Sequence, residues 1–126
     1  MKIGELSART GVPTRMLRYY EEQQLLTSER MSNGYRDYPE SAVERVEHIR
    51  ALISSGVPTK LIRFILGADD DPALAQTCSR MFAEALATEL KDLDDRIACL
   101  SRSRETVRSF LAATEHGDLL PRPGVR

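Results

Sequence analysis

Apolar residues come first in short clusters at helical spacing and then, past about residue 70, on one long seam. Ile3, Leu6 and Val12 mark a first short helix over about residues 4–10. Gly11 supplies the turn after it, since glycine takes positive φ without steric cost. A second helix is predicted over about residues 13–23, with Pro13 in the first turn, where a missing N–H costs nothing. Leu17 and Tyr20 lie three apart and face inward. Arg15, Arg18 and Tyr19 take the outer and flanking faces. Pro39 and Glu40 open a third helix, to about Ser55, with Val43, Val46, Ile49 and Ile53 as its buried face. Gly56 stops it, and Pro58 opens a fourth whose inner face is Leu61, Ile62, Ile65 and Leu66.

Between the second and third helices the pattern changes. Residues 27–30 and 35–38 flank Asn33-Gly34, the strongest short-range hairpin signal, because both residues accept the positive φ of a type I′ turn. The hairpin arms carry Arg30 and Arg36. A helix, a glycine turn, a second helix and a small ribbon together make a winged helix-turn-helix, whose second helix is the usual base reader.

Residues 67–71 read as a linker. Asp71-Pro72 then opens a long helix, to about Glu115, with His116 and Gly117 as its C-terminal cap. Leu86, Leu90, Leu93, Ile97, Leu100, Val107 and Leu111 recur on it at alternating spacings of four and three, interrupted at Arg104 alone. One helix cannot bury such a seam by itself, and each leucine removed from water contributes roughly 1.5–3 kcal/mol. A symmetric homodimer is the simplest closed solution. The expected fold is therefore mainly α: a winged helix-turn-helix DNA-binding head over residues 1–67, a coiled-coil dimerisation helix over 72–116, and an irregular tail over 117–126.

Charge sharpens this division. The net charge of −1 separates into +2 over residues 1–67 and −3 over residues 68–126. Nucleic-acid binding therefore has to come from local placement, since phosphate attraction is screened over short distances. Hydrophobic residues make up 41% of the chain and aromatics only 6%, so the core is aliphatic. Neither a membrane-spanning run nor a signal-peptide stretch is present, which points to the cytoplasm. Catalysis has no support: Asp94-Asp95 reads as a solvated helix face, and no nucleophile, phosphate-binding glycine loop or metal cluster accompanies it. Cys78 and Cys99, read as lying on one helix, would be roughly 30 Å apart, too far for a disulfide. No Cys/His spacing suits zinc, and no cofactor is expected.

The residues alone leave three functions open. These are a dimeric, sequence-specific DNA-binding regulator, a helical protein-interaction module, and an architectural or excisionase-like DNA protein without promoter activation. The first 66 residues resemble the head of the MerR (mercury-resistance regulator) family. Lys2-Ile-Gly-Glu-Leu-Ser-Ala, Leu17-Arg-Tyr-Tyr-Glu-Glu and Gly34-Tyr-Arg-Asp-Tyr carry the likeness. The resemblance implies a homodimer held by an antiparallel coiled coil on a palindromic, double-stranded promoter element. It also implies distortion of that promoter so that RNA polymerase can use it, in response to a signal such as a small-molecule effector. Carried over by position, Arg15 and Arg18 would meet phosphates or base edges from the recognition helix. Tyr19 would pack on the backbone, and Tyr35 and Arg36 would do so from the wing. Thr14 and Lys60 would contribute from helix N-termini. The chain departs from the family at Gln24, where glycine is common, at Ser28, where proline is common, and at Pro13, which replaces the usual Ser/Thr cap. Cys78 falls near the place where metal-sensing members put a cysteine and is a candidate sensor thiol, but residues 114–126 hold no second one.

Overall fold

The computed structural model describes residues 1–121, and they fall into two compact units, Met1–Phe82 and a second that begins at Ala83. In the first unit α1 (Ile3–Thr10) and α2 (Thr14–Glu22) precede a two-stranded antiparallel ribbon, β1 (Glu29–Arg30) and β2 (Arg36–Asp37). Then come α3 (Ala42–Ser54), α4 (Thr59–Asp70) and the single turn α5 (Ala73–Gln76). Gly11 ends α1 at φ 75° and returns its N–H to the Ser7 carbonyl. The core is aliphatic as expected: Leu6, Leu17, Leu25, Val46, Ile49 and Leu66 are fully buried. On α3 the buried face is Ala42, Val46 and Ile49, whereas Ile53 lies at the exposed end of the helix. On α4, Leu61, Ile62 and Leu66 are buried and Ile65 only partly so.

Helix α2 stops in a left-handed residue. Gln24 sits at φ 61°, with its N–H on the Glu21 carbonyl and the Leu25 N–H on that of Tyr20. This is a Schellman closure, which normally recruits glycine. Two arginines hold it: Arg63 Nε donates to the Gln23 carbonyl and Arg45 Nε to that of Leu25, each at 2.9 Å.

Four boundaries differ from the sequence reading. The stretch over 67–71 is helical through Asp70, because Arg45 reaches across from α3 to the Leu66 carbonyl and the Asp70 carboxylate. The long helix α6 spans Arg80–Ala113, not 72–116. Asp71 instead caps α5, accepting the Ala73 N–H at 3.2 Å. Thr77, Cys78 and Ser79 then interrupt the helix, and Ser79 Oγ accepts the Phe82 N–H as a new N-cap. Cys78 and Cys99 thus do not share a helix. The His116-Gly117 cap is replaced by a bond from the Thr114 hydroxyl to the Leu111 carbonyl and a 3₁₀ turn at Gly117–Leu119. The tail expected over 117–126 is described only as far as Pro121.

Within the second unit the heptad positions have no cover. Leu90, Ile97, Leu100 and Val107 are each exposed by 60–70%, and Leu86, Leu93 and Leu111 are half-buried. Among the described residues no helix is long and apolar enough to cross a membrane.

Candidate nucleic-acid interface

Three segments of the head converge on one groove of about 740 Å³. Lys2 and the start of α1 form one wall, Arg18 of α2 another, and the ribbon closes it with Arg30, Gly34, Tyr35 and Arg36. Four cations line it against one acid, Glu5. The convergence follows from backbone pairing: Tyr38 N–H donates to the Met1 carbonyl at 2.8 Å and carries the ribbon to the head of α1.

The ribbon turn is one residue longer than the sequence suggests. Gly34 alone takes positive φ, at 85°, and Asn33 does not. Gly34 N–H closes on the Met31 carbonyl and Met31 N–H on that of Tyr35, a three-residue loop rather than a two-residue type I′ turn. Asn33 serves through its side chain, accepting the Tyr35 N–H. Strand register places Arg30 directly opposite Arg36. Like charges in that position destabilise a ribbon, and the Glu21 carboxylate, 3.6 Å from Arg36 Nε, offsets the Arg36 side of the pair alone. Lys2 Nζ stands 5.1 Å from the Tyr35 ring centroid, a cation–π distance, which adds a further positive group at the wing.

Arg36 is aimed by a carboxylate. Glu21, in the last turn of α2, accepts hydrogen bonds from the Tyr38 hydroxyl and the Ser28 hydroxyl and lies 3.6 Å from Arg36 Nε. This cluster ties the recognition helix to the wing. Burial, followed by the hydrogen bond and negative charge of Glu21, pushes the Tyr38 phenol up to about 12. Burial likewise raises that of Tyr20.

The structure brings Arg18, Tyr35 and Arg36 together in the groove. Thr14, Arg15, Tyr19 and Lys60 do not line it: Arg15 and Tyr19 lie exposed on α2, Thr14 half-buried at its start, and Lys60 exposed in the first turn of α4. Among the described residues Arg15 and Arg18 have no ion pair within the chain, so both guanidiniums are available to an outside partner. Lys2 and Arg30 are lining residues that the sequence reading does not place in the site. Arg30 had a signal in the Asn-Gly hairpin; Lys2 had none, because its neighbours come from the Tyr38–Met1 pairing. Cys78 is half-buried and Cys99 exposed, both as free thiols. No set of three or more metal-ligating side chains is assembled among the described residues.

A helix with Arg15 and Arg18 on its exposed face and a ribbon carrying Arg30 and Arg36, beside one cationic groove, define a winged helix-turn-helix DNA-binding head. The model of the MerR HTH family regulatory proteins matches residues 1–68, and the chain belongs to that family. It is a MerR-family transcriptional regulator. The chain is 32% identical over 118 residues to the HTH-type transcriptional regulator HmrR of Rhizobium leguminosarum bv. viciae, covering 94% of this chain and 89% of that one. It is 31% identical over 123 residues to ZntR of Escherichia coli K12, covering 94% and 85%. Two solved structures share the fold. HiNmlR, a MerR family regulator lacking the sensor domain and bound to promoter DNA, matches with a TM-score of 0.64 at 18% identity over 88% of this chain and 86% of that one. The lead(II) complex of PbrR691 from Ralstonia metallidurans CH34 matches with 0.56 at 24% identity over 86% of each.

Proposed function

We propose that this regulator acts as a cytoplasmic homodimer that places two heads on one palindromic promoter element in double-stranded DNA. The observation that carries the reading is the groove with Arg30 set against Arg36 and Arg18 beside them, a repulsive cluster that a phosphate backbone relieves. Arg15 and Arg18 face base edges or phosphates from α2, Tyr19 packs on the backbone, and Tyr35 and Arg36 grip it from the wing with Lys2 and Arg30. Thr14 and Lys60 add contacts from helix N-termini. HiNmlR, of the same fold, was solved on promoter DNA.

Two heads need a fixed spacing, and the uncovered seam of Leu86, Leu90, Leu93, Ile97, Leu100, Val107 and Leu111 supplies it by pairing with a second copy. Bending of the bound promoter then follows as indirect readout, with deformation energy met by backbone contacts. RNA polymerase at that promoter is the partner that reads the deformation. The signal enters as a small-molecule effector or through Cys78, whose half-buried thiol lies just before α6. In vitro transcription from the protein's own upstream region tests the reading. The protein should change transcript yield on that DNA and leave an unrelated promoter unaffected. Selective binding without any change in transcript yield would instead make it an architectural DNA protein.

A further inference from the structure

We propose that Arg104 and Asp94 form the register key between two copies of this chain, so that the α6 seam accepts a second copy of itself in one orientation only. This rests on the dimeric reading above and adds the residues that decide the pairing. Leu90, Ile97, Arg104 and Leu111 occupy one column of the seam, and Leu86, Leu93, Leu100 and Val107 the other. Charge is segregated along the same helix. Residues 80–95 carry two basic and five acidic side chains, net −3, while residues 96–113 carry four basic and one acidic, net +3. Part of this is matched within the chain, by Lys91 with Asp95 and by Arg96 with Glu89. Among the described residues Asp92, Asp94, Arg102, Arg104 and Arg108 have no ion pair.

A parallel pair would set every residue against its own copy. Arg104 would then face Arg104 inside an apolar seam, and the acidic half would lie on the acidic half. Buried like charges at one seam position are strongly unfavourable. Turned end for end about a point between Ile97 and Leu100, the two columns interleave. Leu86 meets Leu111, Leu90 meets Val107, and Ile97 meets Leu100, while Arg104 lies over Leu93 of the second copy. Asp94 follows Leu93 on the flank beside Arg104's own column, at an axial offset of about 1.5 Å, one residue's rise. The guanidinium therefore swings from the seam onto that carboxylate. Symmetry makes the contact twice.

The face itself is shaped for such an occupant. Leu100, Val107, Leu111, Leu120 and Pro121 enclose an apolar groove of about 470 Å³ whose charged lining is Arg104 and Arg108. An apolar strip edged with acids fits it, and the acidic half of α6 is such a strip: Leu86, Leu90 and Leu93 among Glu89, Asp92 and Asp94. A single interruption in an apolar seam costs stability and selects partners. Arg104 thus favours self-pairing over pairing with any seam that lacks an acid at the matching flank.

Sedimentation of the full chain tests the key by charge exchange. Arg104→Asp and Asp94→Arg, each alone, should weaken self-association by at least about tenfold, since each brings like charges together twice. Mixed with each other, the two variants should recover a heterodimer within about threefold of wild-type affinity, because both contacts are then of opposite charge. Recovery on mixing also shows that both variants fold. Failure to form the heterodimer, or wild-type self-association by either variant alone, overturns the key. Ile97→Asp, which faces Leu100 and no cation in this register, separates the two claims. If it dissociates the dimer while the charge variants do not, only the key falls; if it too stays dimeric, the seam reading falls with it.

Discussion

At the scale of single residues, the site is a set of cations held in place by a few anchoring contacts. Arg36 lies on the wing, so Arg36→Ala should weaken specific and nonspecific DNA about equally and lower the salt slope by roughly one. Binding measured on operator and random duplex over a salt series checks this, and a loss confined to the operator would make Arg36 a base reader. Tyr38 offers a second test through pH. Its phenol is raised from 10.0 to about 12 by burial first and by Glu21 second. A raised folded pKa means the fold favours the protonated form. That contribution is complete below pH 10 and is lost as pH rises from about 10 toward 12. Urea unfolding should therefore show an alkaline fall in stability that is shallower in Tyr38→Phe, and equal slopes in both proteins would contradict it. Arg18, Tyr35 and Arg36 were legible in the sequence because each sits in a local pattern, a helix face or a hairpin arm. Lys2 and the Glu21 anchor were not, because chain segments distant in sequence bring them to the groove.

At the scale of elements, apolar spacing located all four head helices, and what it missed lies at their ends. Glycine and proline mark where a helix can stop, but side chains from elsewhere decide whether it does. Arg45 extends α4 through Asp70, against the unfavourable placement of aspartates at a helix C-terminus. Ser79 restarts the chain as α6 after three residues of low helix propensity. At Gln24 the departure from the family's glycine has a structural consequence. A side chain at φ 61° carries left-handed strain of about 1–2 kcal/mol, whereas glycine adds about 0.5–1 kcal/mol of unfolded-state entropy to be lost. Gln24→Gly should raise stability by about 0.5 kcal/mol in chemical denaturation. A clear loss would mean that the Gln23–Arg63 and Leu25–Arg45 contacts need the side chain at 24.

At the scale of the whole molecule, the exposed seam and the cationic groove carry the two proposed contacts, a second copy and a duplex. The heptad was readable because its period is regular over more than three repeats; the signal to which the regulator responds leaves no such pattern. Ile97→Asp buries a carboxylate in the seam against Leu100, with no cation opposite, at a cost of several kcal/mol. It should give monomers by sedimentation and abolish tight operator binding, while weak binding of nonspecific duplex persists. An Ile97→Asp dimer that still binds the operator tightly would place the interface elsewhere. The central claim, that the head reads DNA through α2 and the wing, is tested most directly by equilibrium titration of the protein's upstream DNA with wild type and Arg18→Ala. Wild type should prefer that DNA to unrelated duplex and saturate at two chains per site, and Arg18→Ala should lose about 1–3 kcal/mol of binding with its fold intact. Equal affinity of wild type for both duplexes, or an undiminished Arg18→Ala, would contradict it.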